Sequence, residues 1–100
     1  MFDLIDKGQA RLSGDLNMDT VPDLLQPGRD AILAAGNVFK LDLSSVDAVS
    51  SAAVALLIDW IRVAGNSDVK LEVSGLPAQM RSIIQVSDLE SLFEGSIDSL

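Results

Sequence analysis

Leu41-Asp42-Leu43-Ser44-Ser45-Val46-Asp47-Ala48-Val49-Ser50-Ser51-Ala52-Ala53-Val54-Ala55-Leu56-Leu57-Ile58 is the stretch on which the reading of this chain turns. It opens inside an alternation in which Phe39, Leu41 and Leu43 are separated by Lys40 and Asp42, with Val38 ahead of them, and that period of two is the mark of a strand. It closes in a different period. From Ser51 to Ala64 the apolar residues recur at helical spacing, and Gly65-Asn66 supplies a left-handed stop. Beyond it Val69, Leu71 and Val73 alternate with Lys70 and Glu72, a second strand. A strand, a helix and a strand joined by a crossover of that length imply two parallel strands with a right-handed connection. Lys40, Asp42, Lys70 and Glu72 would be costly if helices covered both faces of the sheet, so the helices are expected mainly on one face.

Toward the N-terminus, Phe2 and Leu4, then Ala10 and Leu12, alternate with polar residues on either side of Asp6-Lys7-Gly8, the composition of a hairpin turn. After Gly14, Thr20 is placed to cap a helix with Asp23 at its third position and Pro22 in its first turn. Val21, Leu24, Leu25, Ile32 and Leu33 are its apolar positions. Pro27-Gly28 is expected to kink or split that helix. Toward the C-terminus, Pro77 to Val86 carries Met80, Ile83 and Ile84, and Ser87 or Asp88 is set to cap a shorter helix bearing Leu89, Leu92 and Phe93. The expected fold is α/β, a four-stranded mixed sheet in the order ββαβαβαα, with residues 1–100 as one domain.

Composition narrows the function. The chain has 100 residues, 48% hydrophobic and 22% charged, which is the range of a packed globule and far from that of a disordered chain. Fifteen acids against seven bases leave a net charge of −8, a field that repels phosphate backbones and anionic lipid surfaces. Nucleic acid is therefore not expected as a partner, and neither is direct membrane insertion, since Ala48 to Ile58 is about half the apolar length a span requires. The acidity reads first as solubility and only second as steering toward a basic partner. No cysteine is present, which removes disulfides and thiolate chemistry and fits a reducing compartment. Asp3 and Asp6 stand where a secretory leader would be basic, so a cytoplasmic location is expected.

Chemistry is sparsely provided for. With no histidine or cysteine, catalysis would fall to carboxylates, lysines or hydroxyls, and the carboxylates are scattered. Asp42, at a strand end, has the position of a phosphoaspartate but lacks the neighbouring acids that hold magnesium. Asp98-Ser99-Leu100 spells the attachment tripeptide of an acyl carrier, yet no helical pattern follows it. No glycine-rich phosphate loop is present. A non-enzyme without cofactor or metal is the expectation.

The quoted stretch resembles the signature of the STAS domain, the fold of anti-sigma-factor antagonists. There, a strand ending in Asp-Leu-Ser is followed about six residues later by a helix start of acidic residue, Ser or Thr, small residue and glycine. Val86 to Phe93 resembles the same family's closing segment, and the element order matches along nearly the whole chain. Its small size and isolated domain look most like the STAS subunits of Mla-type phospholipid-transport ABC complexes in Gram-negative envelopes. That resemblance implies a cytoplasmic, non-catalytic subunit, peripheral to the inner membrane. It would bind an MlaF-like ABC-type ATPase subunit and, through it, the inner-membrane permease complex. The other role the family implies is an anti-sigma-factor antagonist switched by a serine kinase, with Ser51 as phosphoacceptor. Ser50 replaces the acidic residue usual before the acceptor, and Ala52-Ala53 replace the small residue and glycine usual after it, which counts against the switch.

On a helical wheel Ala53, Val54, Leu57, Trp60, Ile61 and Ala64 share the arc expected to face the sheet, with Trp60 in the core. The opposite arc holds Ser51, Ala52, Ala55, Asp59 and Arg62, bordered by Leu56 and Val63. Ser50, Ser51, Ala52, Ala55, Leu56 and Asp59 are accordingly the candidate partner-binding residues. Ser50 and Ser51 also suit capping, and the alanines suit a plain solvated helix, so each residue has a structural reading beside the docking one.

Overall fold

The computed structural model describes residues 1–97, and Asp98-Ser99-Leu100 lies outside the described residues. The hairpin forms as expected: β1 (Phe2–Asp6) and β2 (Gln9–Leu16) pair antiparallel, with Phe2 opposite Leu12 and Leu4 opposite Ala10. Gly8 turns the chain with φ +81°, and a Cβ there would lie 2.9 Å from the Val38 carbonyl oxygen, so position 8 excludes side chains twice over. β3 (Val38–Val49) then runs parallel to β2, and β4 (Lys70–Ser74) parallel to β3, giving the mixed sheet order β1-β2-β3-β4.

One face of this sheet is apolar. Ala10, Leu12 and Leu16 of β2, Phe39, Leu41 and Leu43 of β3, and Leu71 of β4 are all buried. The residues between them point the other way and remain wet: Arg11 reaches Asp42 at 3.2 Å and Lys70 reaches Glu72 at 3.5 Å. The four charges whose positions argued for a one-sided sheet are thus on its open face. On the apolar face lie α1 (Val21–Leu33), α2 (Ser51–Asn66) and α3 (Ala78–Val86), with α2 between the other two. Trp60, Phe39, Phe93, Ile32, Met80 and Ile84 fill the space between helices and sheet, each burial stabilising by roughly 1.5–3 kcal/mol. The Trp60 indole N–H donates to the Leu25 carbonyl at 3.2 Å, and its ring meets Phe2 edge-on at 6.0 Å.

Several local expectations are corrected. Thr20 stands at the N-cap of α1 but its side chain caps nothing: Thr20 Oγ1 donates to the Asp15 carbonyl at 2.8 Å, while the Asn17 side-chain oxygen accepts from the amides of Asp19 and Thr20 in the turn ahead of the helix. Pro27-Gly28 does not divide α1. Pro27 is exposed within a continuous helix, and Gly28 is buried against Trp60. α2 runs through Gly65 to Asn66, and the left-handed residue after it is Asp68 at φ +56°. The closing helix is a single 3-10 turn, Glu90–Phe93. Asp88, at φ +58°, belongs to the end of α3 and caps nothing beyond it.

Candidate docking site

Two adjoining segments build the corner from which α2 starts. Leu16 pairs with Val49 at the end of the parallel ladder, and the Ser50 amide donates to the Leu16 carbonyl at 3.0 Å. Asp15 adds a side-chain tie, accepting from the Ala48 amide at 3.2 Å. The loop Asn17-Met18-Asp19 follows at once, so it stands beside the first turn of α2. Met18 projects from it with 81% of its surface exposed.

Of the six residues read from the sequence as partner-binding, four lie at this corner or on the adjoining outer face. Ser51 and Ala55 are exposed, and Ser50 and Ala52 are half-buried. Leu56 is a correction: it is fully buried, because α1 and α3 flank α2 and widen its buried arc beyond what one sheet face would require. Asp59 is the second. Arg29 of α1 grips its carboxylate with both Nε (2.8 Å) and Nη2 (2.7 Å), so it ties two helices together and is not a free surface acid.

The hydrogen bond from Arg29 holds the Asp59 carboxyl below the ordinary aspartate value of 3.8. A carboxylate whose folded-state pKa is depressed stabilises fully above the unfolded value, and that stabilisation disappears as pH falls through the folded value. Thermal unfolding should therefore show Tm falling as pH drops below about 4. Asp59→Asn should remove part of that fall, and identical acid profiles for the two proteins would show the fork to be energetically idle. Asp42 is held low in the same direction, first by hydrogen bonds from Ser44 and then by Arg11.

The cap of α2 belongs to Ser50, whose Oγ accepts from the Ala52 amide at 3.2 Å. Ser50→Ala should cost about 1 kcal/mol and Ser51→Ala much less, as read by chemical denaturation. Equal losses from both would return the cap to Ser51. The exposed Ser51 hydroxyl is thus not committed to capping the helix.

Among the described residues no group of three or more acids gathers as a metal ligand set, and no buried side-chain polar atom lacks a partner. Hollows of about 250 and 310 Å³ border Gly95 and Ser96 beside β4, and neither is lined by a residue of the Ser51 corner. No helix among the described residues is long and apolar enough to cross a membrane. Sequence reasoning missed Met18, Asp15 and Ala48 as neighbours of Ser51. Met18 and Asp15 precede it by 33 and 36 positions, and only the register of β2 on β3 brings them to its end of the sheet, whereas Ala48 is three residues away on β3 itself.

The family model described as "Mlab, STAS domain" matches residues 6–94. Among solved structures, the anti-sigma factor antagonist SpoIIAA in its unphosphorylated form superposes with a TM-score of 0.70 at 16% identity, covering 100% of this chain and 87% of that one. The Bacillus cell fate determinant SpoIIAA in its phosphorylated form gives 0.70 at 17% identity, covering 97% of this chain and 86% of the other. At those identities the likeness establishes the fold alone. No relative is found among curated proteins.

Proposed function

Because this chain belongs to the family described as Mlab, STAS domain, we propose that it is the MlaB-like accessory subunit of a phospholipid-transporting ABC complex. In this reading it is cytoplasmic, non-catalytic and peripheral to the inner membrane. It binds the complex's ATPase through the α2 corner, reaches the permease only through that ATPase, and supports assembly or activity. The family match over residues 6–94 is the observation that carries the reading. The exposed Ser51 and Ala55 support it from the structure, since small side chains let a partner helix approach closely.

Purification of the tagged chain from its own cells should bring down an ATP-binding-cassette protein. Recovery of a serine kinase and no ATPase would overturn the reading in favour of the anti-sigma-factor antagonist. That alternative has one structural point in its favour: Ser51 is exposed at the helix start, accessible to a kinase. Ser50 and Ala52 on either side of it count the other way. Mass spectrometry of the recovered chain separates the two, because the transporter role expects Ser51 to carry no stoichiometric phosphate.

A further inference from the structure

The geometry points to Met18 as the apolar anchor of the docking face, and to an ATPase surface that meets it with an apolar pocket bordered by lysine or arginine. This rests on the docking reading above and adds what the partner must look like. The first observation is exposure. Met18 is 81% exposed on a loop whose backbone is held by the Asn17 side chain and by Thr20, so a flexible apolar side chain is presented from a fixed base. Leu16, two residues before Met18, pairs with Val49, and Asp15 accepts from the Ala48 amide, so exposed Ala48 and half-buried Val49 lie at the end of the sheet from which α2 starts with half-buried Ala52 and exposed Ala55. Methionine is suited to such a role because its unbranched thioether adapts to an irregular pocket.

The second observation is the sign of the charge around it. The two segments that build the corner, Leu12 to Gly28 and Leu41 to Ile61, contain no lysine or arginine. Asp19 and Asp47 are exposed at its border, and the exposed Asp15 lies against Ala48. The other three acids of these segments differ: Asp42 and Asp59 are paired with Arg11 and Arg29, and Asp23 is exposed in the first turn of α1. An apolar centre ringed by unneutralised carboxylates repels an acidic or lipid-headgroup surface and steers a basic one. A second copy of this chain is disfavoured as occupant by the same argument, since two acidic rims would face each other.

Site-specific crosslinking in cells tests this on the full chain. Benzoylphenylalanine is placed singly at position 18, at position 55, and at position 86 as a control, where Val86 is 88% exposed on another element. Crosslinks from 18 and 55 to one ATP-binding-cassette protein, on a peptide rich in lysine or arginine, are expected, with none from 86. In the purified pair, Met18→Ala should weaken binding about tenfold, and Asp19→Lys with Asp47→Lys should slow association and flatten its salt dependence. A crosslink from 55 without one from 18, or undiminished affinity of Met18→Ala, overturns the anchor and leaves the docking reading intact. Crosslinks from 18 and 55 to a serine kinase overturn the docking reading, and with it the occupant named here.

Discussion

Gly28→Ala should destabilise the domain by about 3 kcal/mol or more, although the same change in an ordinary helix stabilises by about 0.5–1 kcal/mol. The sign reverses because of what stands opposite. Gly28 is buried in α1, and a Cβ at this position would collide with Cε2 and Cζ2 of the Trp60 ring. The ring cannot easily yield: it is fully buried, its N–H is bonded to Leu25, and Phe2 lies against its edge. Relief therefore requires α1 to move off α2, which would strain the Arg29–Asp59 fork as well. Urea denaturation should show a lower midpoint with an unchanged slope. Trp60→Phe in the same background should recover part of the loss, since the smaller ring leaves the space the methyl group needs, and the two changes should be strongly non-additive. A Gly28→Ala protein as stable as the parent would mean that the helices pack less closely than described.

The second large effect is expected in binding and not in folding. Ala55→Arg places a long charged side chain at the centre of the α2 face, where a desolvated interface would lose several kcal/mol of affinity. Stability should change by only a few tenths of a kcal/mol, because Ala55 is exposed and arginine is a good helix former. Leu57→Ala supplies the converse. Leu57 is 1% exposed, and its truncation should cost about 2–5 kcal/mol through the cavity left between α2 and the sheet. Calorimetric titration against the recovered ATPase, beside a thermal melt of each variant, distinguishes the two effects. If Ala55→Arg melts normally and binds undiminished, the partner sits elsewhere and the alanines are present only as helix formers.

Period alone carried the sheet, its parallel crossover and the one-sided arrangement of helices, since Phe39, Leu41, Leu43 and Leu71 alternate with charges that have no place in a core. What escaped it depended on partners distant in sequence. Ser44 to Val49 does not alternate, and its strand character comes from backbone pairing with β2. Pro27-Gly28 reads as a break until Trp60 is seen to require the glycine. Leu56 lies on the border of a wheel drawn against one sheet, and its burial follows from flanking helices that no wheel contains. The candidate site divides the same way. Ser51 and Ala55 were legible from the helix itself, whereas Met18 joins them only because β2 ends beside the start of α2.

The sheet order β1-β2-β3-β4 is also the order in which the strands occur along the chain. Each strand adds to an edge that is free when it arrives, so no ladder already formed has to part to admit a later one. The first pairing closes only a two-residue turn, and each later one closes a loop containing a single helix, for which the entropy cost rises slowly with length. Assembly can thus proceed from the N-terminus during synthesis, with the β2–β3 pairing both completing the middle of the sheet and bringing Met18 beside Ser51. β4 comes last and brings buried Leu71, with Met80, Ile84 and Phe93 following it, so the core beneath α2 closes only once the chain beyond residue 69 has been made.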